Sequence, residues 1–334
     1  MMDRRSFIGG LGLGALAWPR EVSAQSAARI ARVGILGFAA TTEEISGPEP
    51  RRPSARFLLR GLREMGYVYG RDFVTEPRGA EGKPDLWPAQ AAEMVNLKVD
   101  VIVAPGPYLP ALKRVTSAIP IVMAAAADPV GDGYAQSLAH PGGNMTGLSL
   151  QEIETTGKRL ELLKELVPSA SPVAVLWSNV RANSIRYWHA AETAARNRDW
   201  KLLRIEIRDA GELERAFRTA ASARAGALMT IASPLLFGRA RQLAQLAAAH
   251  RLPAMYDLAE YVEAGGLISY GADLDEIWRR AATFVDKILK GARPAELPIE
   301  QPSKFDLVLN LKTAQALGLT IPPSLRARVD QVIE

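Results

Sequence analysis

The stretch DPVGDGYAQSLAHPGGNMTGLS, Asp128 to Ser149, decides how this chain is read. It follows an apolar run, Ile119 to Ala127, with the length and flanks of a buried parallel strand. Asp128-Pro129 ends that strand, because proline has no backbone N–H to donate. A short amphipathic helix is predicted over about Tyr134 to Ala139. Pro141-Gly142-Gly143-Asn144 then breaks the chain, and Met145 to Leu150 starts a new extended segment. Strand and helix alternate before this point, and a second series of the same kind begins after it. The stretch therefore reads as the rim of one α/β lobe followed by the first crossing into another. A ligand between the lobes would touch its Asp128 end.

Upstream, Arg29 to Gly37 is a β-branched first strand, and Phe38 opens the loop at its exit. Ser54 to Met65 carries apolar residues at helical spacing and stops at Gly66. Phe73 to Glu76 is a second strand, Asp85 is placed to cap a helix through Leu97, and Asp100 to Ala104 is a third strand leaving through Pro105-Gly106-Pro107-Tyr108. Downstream, strands are predicted at Val173–Trp177, Lys201–Ile207, Gly226–Ile231, Pro253–Tyr256, Leu267–Gly271 and Phe305–Leu309, separated by amphipathic helices. The tail after Pro322-Pro323 is expected to end in a short helix. Such alternation indicates α/β architecture: two doubly wound parallel-sheet lobes joined by three crossover segments, near Gly147, Gly271 and Pro302.

The chain has 334 residues and is 48% hydrophobic, enough for one large core or two ordinary ones. Residues 1–24 read as a signal peptide of the twin-arginine type. Arg4-Arg5 precedes a glycine-rich apolar run too short to span a membrane, and Val22-Ser23-Ala24 offers an A-x-A-like cleavage site. Gly10-x-Gly12 in that run mimics a dinucleotide fingerprint, but no strand precedes it. Removing the segment takes away three arginines and two acids, leaving the net charge of +5 near +4. That charge is mild and interleaved, so no nucleic-acid partner is expected. There is no cysteine, which excludes disulfides, thiolate metal sites and a lipidated N-terminal cysteine, and the processed chain is expected to be soluble in the periplasm. His140, His189 and His250 lack metal-ligand spacing, and no nucleophile elbow or Walker A loop occurs. No catalytic residue, metal or cofactor is expected.

Ligands of doubly wound sheets bind at the carboxyl ends of strands. The strand exits supply Phe38, Gly106, Tyr108 and Asp128 from the first lobe, and Ser178, Asn179, Ser233, Tyr256 and Asp257 from the second. Phe38, Tyr108 and Tyr256 could sandwich a flat group, Ser and Asn groups with helix-start N–H groups could hold a carboxylate, and Asp128 or Asp257 could take an ammonium. This set suits an amino-acid-like zwitterion.

Three C-terminal stretches add a specific likeness: VEAGGLISYG at Val262–Gly271, DKILKGARP at Asp286–Pro294, and the run from Leu297-Pro298-Ile299-Glu300-Gln301-Pro302 through Asn310-Leu311-Lys312 to Ile321-Pro322. With Asp128-Pro129-Val130-Gly131 and Pro141-Gly142-Gly143-Asn144, they resemble the ABC-transporter substrate-binding family that includes tryptophan-binding proteins. The resemblance implies a type I periplasmic binding protein fold. Its expected lobes are residues 26–147 plus 272–296 and 148–271 plus 303–334, with a hinge linker at 297–302. It implies a monomer that captures a small-molecule ligand and delivers it to an ABC permease in the inner membrane. A ligand sensor serving a membrane receptor is the alternative, and a periplasmic enzyme a more distant one. Pro105-Gly106-Pro107-Tyr108 replaces the small Gly/Thr/Ser loop often seen in the family, and Ser178-Asn179-Val180 replaces an Asn-Pro pair. Ligand identity therefore does not carry over.

Overall fold

The computed structural model describes residues 29–178, 185–231 and 233–334. Asn179 and the Arg4-Arg5 segment lie outside the described residues. The first lobe runs β1 (Ala31–Gly37), α1 (Pro53–Glu64), β2 (Phe73–Gly79), α2 (Trp87–Asn96), β3 (Val101–Ala104), α3 (Leu109–Val115), β4 (Ile121–Ala126) and β5 (Met145–Ser149). Its five strands are all parallel, in the order β2-β1-β3-β4-β5. The chain then enters α4 (Glu152–Leu166), β6 (Val173–Ser178), α5 (Ile185–Arg196), β7 (Leu202–Ile207), α6 (Leu213–Ser222), β8 (Ala227–Thr230), α7 (Pro234–Phe237), α8 (Ala240–Ala249), β9 (Ala254–Tyr256), α9 (Ala259–Glu263) and β10 (Ile268–Ala272). It returns through α10 (Leu274–Leu289) and crosses again to β11 (Phe305–Asn310), α11 (Leu311–Ala316), α12 (Pro323–Arg326) and β12 (Gln331–Ile333). The second sheet has the order β12-β11-β10-β9-β8-β6-β7.

Both faces of each sheet are covered. In the first lobe Val33, Ile35, Val101 and Val122 pack with Leu58 and Leu62 of α1 and Trp278, Phe284 and Val285 of α10. Ile102 and Met123 face Met94, Leu109 and Leu112 on the other side. In the second lobe Val173, Val175 and Met229 meet Leu160, Leu163 and Trp188, while Ala174, Leu176 and Leu228 meet Phe217 and Leu243. Each fully buried large apolar side chain contributes roughly 1.5–3 kcal/mol. That burial explains why strands so rich in Val, Ile and Leu sit centrally in parallel sheets.

α10 follows the second lobe in sequence yet packs on the first. Its buried face is Ile277, Trp278, Ala281, Phe284, Val285 and Ile288. Asp273 starts it, accepting from the N–H groups of Asp275 (2.9 Å) and Glu276 (3.1 Å), a cap contributing about 1 kcal/mol. Gly61 of α1 lets the two helices close up, since a Cβ there would lie 2.4 Å from the Arg279 carbonyl oxygen.

The crossings are stitched together. Glu300 N donates to Gly147 O, and Ser149 N to Glu300 O, each at 2.9 Å, so the first and third crossings pair as a short parallel bridge. Thr146 Oγ1 donates to Leu297 O at 2.6 Å. Arg280 of α10 holds the Glu300 carboxylate.

Four local expectations are corrected. No helix forms over Tyr134–Ala139: Tyr134 N and Ala135 N both donate to Pro129 O, and Gln136 N donates to Pro141 O, so turns close on both prolines instead. Asp85 lies in a 3-10 turn, and α2 begins at Trp87 with no side-chain cap. The second sheet is not wholly parallel, because β11 runs antiparallel to β10 once the third crossing returns it from the opposite end. The tail after α12 forms edge strand β12, parallel to β11.

Gly271, at the second crossing, lies against the main chain of Asp257: a Cβ there would be 1.7 Å from the Asp257 carbonyl oxygen. Backbone on both sides leaves no side chain to swing aside. Gly271→Ala is therefore expected to lower stability by about 1–3 kcal/mol or more in urea unfolding. Unfolding at the parent midpoint would show that the strands part freely here.

Candidate functional site

A cavity of about 400 Å3 lies between the lobes where the crossings converge. The first lobe supplies Phe38 to Ala40 after β1, Arg52, Pro53 and Ser54 at the start of α1, and Pro105 to Pro107 after β3. The second supplies Ser233, Asp257 and the α9 residues Glu260 and Glu263. The crossings contribute Leu150 and Glu152, then Gly271 through Asp275, with Trp278 one turn further along α10. Every contributing loop leaves the carboxyl end of a strand or opens a helix, as open α/β sheets require.

Four residues expected at the site line this cavity: Phe38, Gly106, Ser233 and Asp257. The Phe38 ring is buried and tilted against Trp87, with centroids 5.6 Å apart. It also reaches toward the second lobe, where a Cβ on Gly238 would lie 3.4 Å from it. Gly106 begins the 3-10 turn after β3. Ser233 caps α7, its Oγ accepting from Leu235 N at 3.2 Å. Asp257, 3% exposed, follows β9 directly.

The others lie elsewhere. Tyr108 is fully buried in the α2–α3 layer, where its hydroxyl donates to the Gln90 side chain and its ring meets Trp87 at 5.8 Å. Burial pushes its phenol pKa up. Tyr256 is sealed in the second-lobe core, stacked on Tyr261 at 5.0 Å with rings 5° from parallel, and burial raises its pKa as well. Ser178 ends β6 and is buried. Asp128 spans the rim instead of the cavity wall: its Oδ1 accepts from Gly131 N, and its Oδ2 pairs with Arg186 Nη1 of α5 at 2.6 Å. That ion pair joins the two lobes.

Sequence reasoning missed Arg52, Glu152, Glu260, Asp275 and Trp278. Trp278 is both core and cavity wall. Glu152 is 1% exposed and faces the cavity while its Oε2 pairs with Arg159 Nη2 at 2.8 Å. Arg159 in turn donates from Nε to Tyr270 O at 2.7 Å. The acidic residues around Gly265 and Gly271 were the available signal, and its meaning depends on folding. α9 and the start of α10 come from opposite sides of the second crossing and bring Asp257, Glu260, Glu263, Asp273 and Asp275 to one wall. Burial is the main cause that pushes the Glu260 carboxyl up to about 7, with Glu263, Asp257 and Asp275 adding repulsion. Burial, Asp273 and Glu263 raise Asp275, opposed by Arg56. Among the described residues, no group of three or more His, Asp or Glu could hold a metal ion, and no helix is long and apolar enough to cross a membrane.

Two doubly wound lobes, three crossings and a cavity between them define a type I binding-protein architecture. The chain matches the ABC transporter substrate binding protein family over residues 50–333, and it belongs to that family. A Clostridioides difficile tyrosine-binding protein is 24% identical over 263 residues, 78% of this chain and 75% of that protein. A conserved domain protein from Vibrio cholerae superposes with a TM-score of 0.82 at 26% identity, covering 91% of this chain and all of that one. An ABC domain from Streptococcus pneumonia in complex with L-Trp gives the same score at 24% identity and the same coverage.

The raised Glu260 carboxyl sets a pH signature. A proton held more tightly in the folded than in the unfolded chain stabilises fully below the ordinary carboxylate range and is lost as pH rises through about 7. In Glu260→Gln this loss is absent, so the melting temperature is expected to fall less between pH 5 and 8 and to exceed the parent's at pH 8. Parallel melting profiles for the two proteins would show that Glu260 titrates as an ordinary surface acid.

Proposed function

We propose that this chain is the exported solute-binding component of an ABC importer, capturing a small amino-acid-like ligand between its lobes and delivering it to an inner-membrane permease. The cavity carries this reading: it is built from both lobes and the first two crossings, so an occupant would touch both lobes at once. Its chemistry suits an amino-acid-like solute. Phe38, Leu150 and Trp278 offer apolar surface, Arg52 and Ser54 at the start of α1 offer a carboxylate seat, and Asp257 with Glu260 offers an ammonium seat. The tyrosine-binding and L-Trp-bound relatives support the class of ligand.

In this reading residues 1–24 direct export through Arg4-Arg5, and the processed chain works in the periplasm as a monomer. Residues 26–147 plus 272–296 move as one body and residues 148–271 plus 303–334 as the other, about the 297–302 linker and the crossings near Gly147 and Gly271. Ligand favours the closed arrangement by its greater affinity for it, and the closed form docks on the permease. Phe38, Gly106, Ser233 and Asp257 contact the ligand. Asp128 acts through its rim pair with Arg186 and not through the ligand. The family is one of binding proteins, and turnover has no part in this cycle.

The test is a calorimetric screen of amino acids and small aromatic acids on the processed chain. Saturable binding at one ligand per chain is expected, with a change in intrinsic fluorescence that Trp278→Phe largely removes. Conversion of a bound compound to product would overturn the reading, as would the absence of any saturable small solute.

A further inference from the structure

We propose that Arg186 is a positioning residue for lobe closure: seated on Asp128 against the bare backbone of Gly131, its guanidinium latches the rim of the cleft and sets how much of the ligand-free protein is closed. The inference rests on the solute-binding reading above, in which the lobes part and close, and adds a device that acts without touching the solute.

The seat is built within the first lobe. Just past β4, Asp128 Oδ1 accepts from Gly131 N at 2.9 Å, and Asp132 N donates to Asp128 O at the same distance. Tyr134 N and Ala135 N close on Pro129 O, and Lys113 Nζ of α3 donates to Gly133 O at 2.7 Å. No residue of the second lobe takes part in these bonds. The carboxylate is therefore aimed before its partner arrives, and little freedom is lost when the pair forms. Oδ2 then receives Arg186 Nη1, from α5 of the second lobe, at 2.6 Å.

Gly131 shows how close that approach is. Its φ lies outside the left-handed region, so the backbone conformation does not call for glycine. Space does: a Cβ there would lie 1.4 Å from Arg186 Nη1 and 2.0 Å from Asp128 Oδ2. Any side chain at this position would evict the guanidinium, and because it meets the mobile ends of side chains, the turn itself need not move. The side chain of Asp128 is 18% exposed and that of Arg186 45%, so solvent screens the pair, and it biases an equilibrium instead of locking it. The lobes also meet at Gly238, where a Cβ would lie 3.4 Å from the Phe38 ring. That contact carries no charge, so salt tells the two apart.

The test needs no solute. The chain has no cysteine, so Val68→Cys and Lys201→Cys take a donor and an acceptor fluorophore on the segments leading into β2 and β7, the sheet edges away from the stitched crossings. Single-molecule energy transfer on the processed, ligand-free chain then reads the separation of the lobes. In about 50 mM NaCl the closed-to-open ratio is expected to fall about two- to fivefold in Arg186→Gln, and equally in Gly131→Ala, which keeps both charges. Arg186→Lys, which keeps the charge, should fall less. In about 1 M NaCl the parent should drop to the level of the variants. Equal ratios in the parent and both variants at low salt would overturn the latch, as would a difference that high salt leaves in place. Either result leaves the solute-binding reading standing, since the calorimetric screen tests that reading separately.

Discussion

Arg159 carries a permanent charge at 2% exposure, and that charge constrains the centre of the molecule. A buried guanidinium is costly unless a close counter-ion meets its charge. Here Glu152, the first residue of α4, meets the charge, and the Tyr270 carbonyl, next to Gly271 on β10, accepts from Nε. These two partners stand at the first and second crossings. Satisfying one arginine therefore fixes where the chain leaves the first lobe relative to where it returns. Removing either member of the ion pair would strand a buried charge, a loss of about 3–5 kcal/mol.

The third crossing is bound to the same centre by different means. Main-chain bonds between Glu300 and the Gly147–Ser149 segment join it to the first crossing, and Arg280 joins it to α10. In the proposed cycle the lobes move as bodies rotating about this stitched segment. The cavity lies beside that segment. Its lining alternates between the bodies, so a molecule seated there would be coupled directly to their relative position. At the rim, Asp128 and Arg186 add an ion pair between the lobes that is partly exposed and correspondingly modest.

Much of this was legible in the sequence because strand and helix periodicities are local. Apolar runs such as Val101–Ala104 and Val173–Ser178 identify buried parallel strands directly, and glycine or proline marks each crossing. The strand-exit rule found Phe38, Gly106, Ser233 and Asp257 on the cavity wall. It placed Tyr108 and Tyr256 there too, for want of one piece of information: which way each side chain turns. Tyr256 is the last residue of β9 and packs into the helical layer, while Asp257, one residue on, faces the cleft. Tyr108, two residues past Gly106, has already turned under the lobe toward Trp87. Glu260 and Asp275 stayed hidden because nothing in a run of acids shows that residues from two sides of a crossing will face one space. The antiparallel β11 and the edge strand β12 likewise depend on where the third crossing sets the chain down, which no local pattern encodes.

The central claim is that the two lobes close on a ligand about the stitched crossings. Small-angle X-ray scattering of the processed chain, alone and with a saturating ligand from the calorimetric screen, tests it most directly. The account expects the radius of gyration to fall when ligand is present. An unchanged radius with ligand bound would contradict it, and would mean that the cavity is a rigid pocket whose occupant leaves the lobes where they were.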